Sequence, residues 1–259
     1  MCGIIALFGE EVEVGSYLLS HRGPDDYRTS KIGKCRMDFY RLAINDLTDA
    51  GMQPFTENKA MLVCNGEIYN HKNFRLGHEK STSDCEVLIN MIQSYGITKT
   101  VDMINGDFSF IYSDGKRIMA ARDPVGVRPM FYTRYDENSI AFASEVKALV
   151  SLGSTIHIFP PGHIYDSYIN DFVCYHTGYW RVNKHVNNKM INEIRQSFED
   201  AVHLRLANTE RDIGFLLSGG LDSSLIASIA SRKIGKIKTF SIGLEGSPDL
   251  VAARKVAKY

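Results

Sequence analysis

Near Trp180 the hydrophobic patterning of this chain changes its period, and no single layered architecture accommodates both sides of that point. Before it, short apolar or alternating runs recur at 4–8, 39–44, 61–64, 108–112, 117–121, 129–133, 140–143 and 163–168. Gly, Asp and Asn cluster between them, as hairpin connections require. One clear helix interrupts the series. Ser83 or Asp84 stands where a cap belongs, and Val87, Leu88, Met91, Ile92 and Tyr95 form an apolar stripe that stops before Gly96. A shorter helix is expected over 145–150. Many strands with few, segregated helices predict an α+β domain built on antiparallel sheets.

After a polar stretch at 181–189, Ile191, Ile194, Phe198, Ala201, Val202 and Arg205 fall in register on one long amphipathic helix. A buried-type strand at 213–217 follows, then a Gly-rich turn, a helix through 225–230, a strand at 238–242 and a helix opening near Pro248. Strand–helix–strand–helix is the order of a parallel, helix-covered sheet. The boundary is placed at 180–188, giving domains 1–183 and 187–259. A domain usually needs about 100–150 residues, and two parallel strands alone leave an unpaired edge, so the second unit is expected to be truncated.

The chain has 30 Lys+Arg against 30 Asp+Glu and 44% hydrophobic residues. Zero net charge argues against a nucleic-acid binder, and the hydrophobic content against disorder. No apolar run approaches the ~20 residues of a membrane helix, and Met1-Cys2-Gly3-Ile4-Ile5 is not a signal peptide. Cys2, Cys35, Cys64, Cys85 and Cys174 are scattered with no CxxC pair, which disfavours a disulfide framework and a cysteine zinc site. A cytoplasmic protein without membrane or nucleic-acid partners is expected. The histidines, His71 and His78 among them, have no partner at ligand spacing and receive no role.

Cys2 admits two readings. A small thiol opening an apolar strand is commonly just buried. If Met1 is removed, however, the thiol and an α-amine of reference pKa ~7.7–8.0 share one residue, which then supplies both nucleophile and base. Other motifs accompany it in order: His21-Arg22-Gly23-Pro24-Asp25, Arg41-Leu42-Ala43-Ile44, Asn65-Gly66-Glu67-Ile68-Tyr69-Asn70 and Ser83-Asp84-Cys85-Glu86. With Arg122-Asp123-Pro124-Val125-Gly126-Val127-Arg128-Pro129 and Ala143-Ser144-Glu145-Val146-Lys147-Ala148-Leu149, the chain resembles the class II amidotransferase domain of glutamine-hydrolysing asparagine synthetases.

That resemblance implies an N-terminal-nucleophile sandwich, αββα, in which Cys2 attacks the side-chain amide of glutamine. Asn65 and Gly66 would form the oxyanion hole, and Arg41 would hold the substrate α-carboxylate. Asp84, with Glu67 as a second carboxylate, would balance the ammonium group. Leu42, Ala43 and Ile44 belong to the same glutamine-binding set. Taken alone, Asn65-Gly66 reads as a hairpin turn and Asp84 as a helix cap. The interval between Gly9 and His21 is shorter than the resemblance suggests, leaving 15–20 room for barely a turn or two of helix.

Ser218-Gly219-Gly220-Leu221-Asp222-Ser223-Ser224 lies between an apolar strand and a helix, where free N–H groups and the helix dipole favour an anion. A plain turn with a Ser or Asp cap is the bland alternative. The chain has no GxxxxGK[ST] phosphate loop. The run resembles instead the pyrophosphate loop of the synthetase half of the same family. By that resemblance Ser218, Gly219, Gly220, Asp222 and Ser223 line the pyrophosphate of ATP, with Mg²⁺ near Asp222. Leu217 and Ile242 would contact adenosine.

The expected partners are thus glutamine, aspartate and Mg·ATP, with no prosthetic group, and a homo-oligomer is compatible with the pattern. Ammonia from glutamine would attack an aspartyl-adenylate. Because the chain stops at Tyr259, it is expected to fail aspartate-dependent ATP cleavage on its own. A stand-alone glutaminase, or a non-catalytic glutamine-binding remnant with a vestigial nucleotide-binding tail, are the alternatives.

Overall fold

Alternating side chains lay down the strands of the first unit: β1 (Gly3–Phe8), β2 (Asp26–Ile32), β3 (Cys35–Arg41), β4 (Phe55–Glu57) and β5 (Ala60–Ile68). Two helices, α1 (Val87–Tyr95) and α2 (Ile97–Met103), intervene. Then come β6 (Gly106–Ser113), β7 (Ile118–Arg122), β8 (Phe131–Asp136), β9 (Ser139–Ala143), β10 (His157–Ile158), β11 (His163–Asp166) and β12 (Asp171–Cys174). The computed structural model describes residues 1–153, 155–178 and 187–259, and divides into units Met1–Trp180 and Arg181–Tyr259. The expected boundary at 180–188 and much of the polar stretch at 181–189 lie outside the described residues.

The strands form two six-stranded sheets, ordered β10-β8-β9-β1-β3-β2 and β12-β11-β7-β6-β5-β4. Every pairing within them is antiparallel. Successive side chains point to opposite faces, so each sheet has an inner and an outer apolar surface. Ile4, Ala6, Phe39 and Phe142 meet Val63, Ile111 and Tyr165 between the sheets. Outside the second sheet, Leu62, Phe108 and Phe110 pack under Val87, Leu88 and Met91 of α1. Outside the first, Ile5, Leu7 and Ala141 are covered by Leu19 and Ala148.

This is the expected sandwich with one helical layer reduced. Leu19 and Ala148 sit on 3₁₀ turns, Ser16–Arg22 and Val146–Ala148, and the helix expected at 145–150 is two such turns, the second Val150–Leu152. The strand expected at 39–44 stops at Arg41, because Leu42, Ala43 and Ile44 turn out of the sheet into the wall of a pocket. Tyr95 is half exposed and does not join the buried face of α1. Asp84 makes no helix cap; it opens a 3₁₀ turn, Asp84–Glu86, and binds elsewhere.

The second unit contains α3 (Asn188–Leu206), β13 (Gly214–Leu216), α4 (Leu221–Ile234), β14 (Lys238–Phe240) and α5 (Pro248–Lys258). Asn187 and Ser247 cap α3 and α5 with their side chains. β13 and β14 pair in parallel, Gly214 opposite Lys238 and Leu216 opposite Phe240. Small cores form where Phe198 and Val202 meet Phe215, Ile229 and Ala230, and where Leu217 meets Ala227 and Ala253. The strand expected as buried is covered on one face only: Leu216 is 83% exposed. Ile191 and Ile194 of the α3 stripe are exposed as well. Among the described residues no helix is long and apolar enough to cross a membrane.

Candidate active site

Cys2 precedes β1, and its thiol lies against the chain where β3 ends. The Leu42 N–H donates to Sγ at 3.4 Å, and Sγ is 3.6 Å from the Leu42 carbonyl. Burial pushes the thiol above its ordinary pKa, with the Leu42 backbone bond and the positive chain terminus pulling the other way. The thiol is therefore protonated at neutral pH and needs a proton acceptor when it attacks. Arg22 fixes the backbone here: Nε donates to the Cys2 carbonyl at 2.9 Å and Nη1 to Glu145 at 3.0 Å. Burial opposes ionisation of Glu145, but hydrogen bonds from Arg22, Lys147 and His21 outweigh it and hold this carboxyl below its usual range.

Asn65 and Gly66 lie inside β5, so the hairpin-turn reading fails. Cys64 and Ile68 turn their N–H groups away from β6 and donate to Gln53 Oε1 at 2.6 Å and Asp84 Oδ2 at 2.7 Å. Backbone direction repeats every second residue, so the Gly66 N–H points to the same open edge, between those two. A side chain at Gly66 would collide with strand β6, 2.5 Å from the Asp107 carbonyl. Asn65 is 1% exposed, and its Nδ2 is buried without a hydrogen-bond partner. An orphaned buried donor is costly unless something else accepts from it.

Both residues line one pocket with Cys2, Arg41, Leu42, Ala43, Ile44, Glu67 and Asp84. Met1 is also in its wall, and the enclosed space is about 40 Å³. Arg41 is buried, with Nη1 donating to the Thr48 carbonyl at 2.7 Å and Nη2 to the Asp46 carbonyl. Those two bonds aim the fork and occupy two of its five donors. Asp46 shapes this turn: its carboxylate accepts from Thr48 and from the Thr82 N–H at 2.7 Å. Burial works against that carboxylate, yet these bonds hold its pKa low.

Asp84 is buried and placed by the loop before it. Glu86 accepts from the Lys80 and Ser81 N–H groups, while Arg75 donates to the carbonyls of Ser81, Thr82 and Ser83. Glu67 already faces a cation, Arg128, at 3.3 Å. Arg128 is itself positioned by Asp123, whose carboxylate accepts from the backbone N–H groups of Val125, Gly126, Val127 and Arg128.

All eight first-unit residues singled out from the sequence thus meet in one place, together with Cys2. Arg22, Asp46 and Arg128 received no role there. Arg22 and Arg128 sat within motifs that carried the resemblance, which was the available signal. Asp46, with a φ of 49°, had none.

In the second unit the glycine-rich run joins Leu217 to α4. Gly220 is the residue before the helix, and Asp222 is exposed in its first turn. Ser218 and Ser223 hold the loop shut, their hydroxyls 3.0 Å apart, with the Gly220 N–H donating to Ser218 Oγ at 3.3 Å. Gly219 has a φ of +79°, and a Cβ there would lie 2.5 Å from Ala252 and Ala253 of α5. Leu217, expected to contact adenosine, is engaged on its backbone too, its carbonyl accepting from Ser241 Oγ at 2.5 Å. Its side chain is buried and its N–H bonds the Phe240 carbonyl at 2.8 Å. Ile242, by contrast, is 98% exposed. Among the described residues no group of three or more His, Cys, Asp or Glu is placed to hold a metal ion.

Residues 1–188 match a family described as glutamine amidotransferase domain, and residues 193–259 one described as asparagine synthase. Glutamine-hydrolysing asparagine synthetases from Zea mays and Arabidopsis thaliana (the latter numbered 3) are 40% and 38% identical to it across all of this chain. The chain spans about half the length of these curated relatives, 48% and 49%. Among solved structures, the glutamine phosphoribosylpyrophosphate amidotransferase from B. subtilis, complexed with ADP and GMP, superposes with a TM-score of 0.57 at 19% identity. That match takes in 93% of this chain and 65% of the other, and shows a shared fold.

Proposed function

The chain belongs to the glutamine amidotransferase domain family, and from that premise we propose that its first unit hydrolyses glutamine to glutamate and ammonia at Cys2. The observation that carries this reading is the Asn65 amide, buried with an unpaired Nδ2 donor beside the Cys2 thiol in one pocket. A developing oxyanion is the acceptor such a donor lacks. The Gly66 N–H, directed to the same edge, completes the pair.

Removal of Met1 frees the Cys2 α-amine and takes one side chain out of the pocket wall. The amine accepts the thiol proton as sulfur attacks the amide carbon, since burial keeps that thiol protonated. The tetrahedral oxyanion rests on Asn65 and Gly66, then collapses to a thioester, the amine's proton leaving with ammonia. Water attacks the thioester and releases glutamate. Arg41 takes the substrate α-carboxylate in its bidentate fork. Asp84 faces the ammonium group; Glu67, already paired with Arg128, contributes less.

The second unit receives ATP with its Mg²⁺ as substrate, the pyrophosphate against Ser218–Ser223 and the N-terminus of α4. Asp222 would hold the Mg²⁺ that arrives with ATP, and Leu217 and Ile242 would flank adenosine. Likeness to asparagine synthetases across both units supports ammonia transfer to an activated aspartate as the reaction of the whole protein, and the cytoplasm is the setting we propose for it.

Conversion of glutamine to glutamate, followed beside the intact mass, tests the first step. The protein lacking Met1 is expected to turn over, and Cys2→Ala to lose about a thousandfold or more of that rate. Equal rates in the two proteins would refute the role of Cys2.

A further inference from the structure

Cys2 lies just outside the strand that carries it: the pairing of β1 with β3 begins at Gly3, opposite Tyr40. With Met1 removed, Cys2 is the chain end, held by one peptide bond and by what its own carbonyl meets. Arg22 is what it meets, on the turn Ser16–Arg22. Gly3 lets that turn come close, since a Cβ there would lie 2.9 Å from Leu19 Cβ. Cys2 rides on the first sheet and Asn65 on the second, so no strand ladder aligns the thiol with the amide.

The Arg22 guanidinium has one donor on Cys2 and one on Glu145, while Nη2 is buried with no hydrogen-bond partner among the described residues. Its aim therefore depends on Glu145. That carboxylate is itself fixed from two further sides, with His21 Nε2 3.1 Å from Oε1 and Lys147 Nζ 3.0 Å from Oε2. The preceding residue, Ser144, is fully buried and grips β1 directly. Its N–H donates to the Ile4 carbonyl at 2.9 Å, and its Oγ accepts from the Ile4 N–H at 3.0 Å. Residues 144 and 145 thus hold the start of β1 at Ile4 and, through Arg22, at Cys2. Neither lines the Cys2 pocket.

We propose that Glu145 is a positioning residue for the reaction at Cys2: through Arg22 it holds the Cys2 backbone so that the thiol stays aligned with Asn65. The inference rests on Cys2 as the nucleophile. Misplacing a reacting group by about 1 Å can cost ~10² in rate, so a carboxylate that never touches substrate can govern kcat.

Steady-state glutamine hydrolysis by the full chain lacking Met1 tests it. Glu145→Ala should lower kcat about tenfold or more and change KM by less than about threefold. Glu145→Gln, which keeps the size and one acceptor oxygen, should recover part of that loss, and it stays readable if the alanine variant does not fold. On an Arg22→Ala background either substitution should add less than about twofold, because the contact it breaks is already gone. Alkylation of Cys2 by iodoacetamide needs no oxyanion hole and should stay within about threefold of the parent rate. Parent-like kcat in both Glu145 variants, a loss confined to KM, full additivity with Arg22→Ala, or alkylation slowed as much as turnover would each overturn the proposal. Turnover retained by Cys2→Ala would instead refute the nucleophile, whatever the Glu145 variants do.

Discussion

The two units are patterned differently, antiparallel strands with few helices in the first and alternating strands and helices in the second, and they also finish differently. In the first, each sheet has both faces covered, and Phe142 at the centre is fully buried among the rings of Tyr132, Phe159 and Tyr165. In the second, helices cover one face of β13 and β14, while Leu216, Phe240, Ile242 and Leu244 remain exposed on the strands and the segment after them. A site needs more than its reacting groups. Around Cys2, distant partners such as Glu145 on Arg22, Thr82 on Asp46 and Leu42 on Cys2 join the local turns in holding the walls, whereas the loop at Ser218 is held mainly by its own serines and by α5.

The largest effect should separate these cores. Phe142→Ala is expected to cost about 3–5 kcal/mol in the first unit, since the cavity it leaves is walled by packed rings. Leu216→Ser should stay within about 0.5 kcal/mol, because that side chain buries little. Chemical denaturation of both variants checks the pair, and a similar cost for each would break the contrast. Gly219→Ala comes next, at about 1–3 kcal/mol, from a positive φ and the close approach of α5. It should lower protection from proteolysis in the second unit and leave glutamine turnover unchanged.

The smallest effect is electrostatic. Glu145 has a folded-state pKa held below its unfolded value, so it adds stability above about pH 4.5 that is lost as pH falls through the lower, folded value. Its side chain is one-quarter exposed, so less than about 1 kcal/mol is expected. Thermal melts between about pH 5 and 3 should show Glu145→Gln less sensitive to acid than the parent.

Much of this was legible in the sequence, for identifiable reasons. Strands β1, β6, β7 and β9 are buried and apolar, so their runs stand out. β2 is exposed and reads Asp-Tyr-Arg-Thr-Ser-Lys-Ile, with no alternation to see; its place is given by pairing with β3. The site residues were legible through motifs rather than physics: Asn65-Gly66 alone indicates a turn, and only its neighbours in β5 and β6 make it strand. The Arg22–Glu145 bond joins residues 123 positions apart, a distance no local pattern bridges. The second core falls short of the sequence expectation, because an apolar strand implies cover on two faces and the described residues supply one.

The central claim is that the buried Asn65 amide stabilises the oxyanion formed at Cys2. Steady-state glutamine hydrolysis by Asn65→Ala tests it most directly. Loss of the donor should lower kcat by about 10²–10³, equivalent to about 2.7–4 kcal/mol, with KM changed by less than about threefold. A kcat within about threefold of the parent would contradict the account, and so would a loss carried wholly by KM.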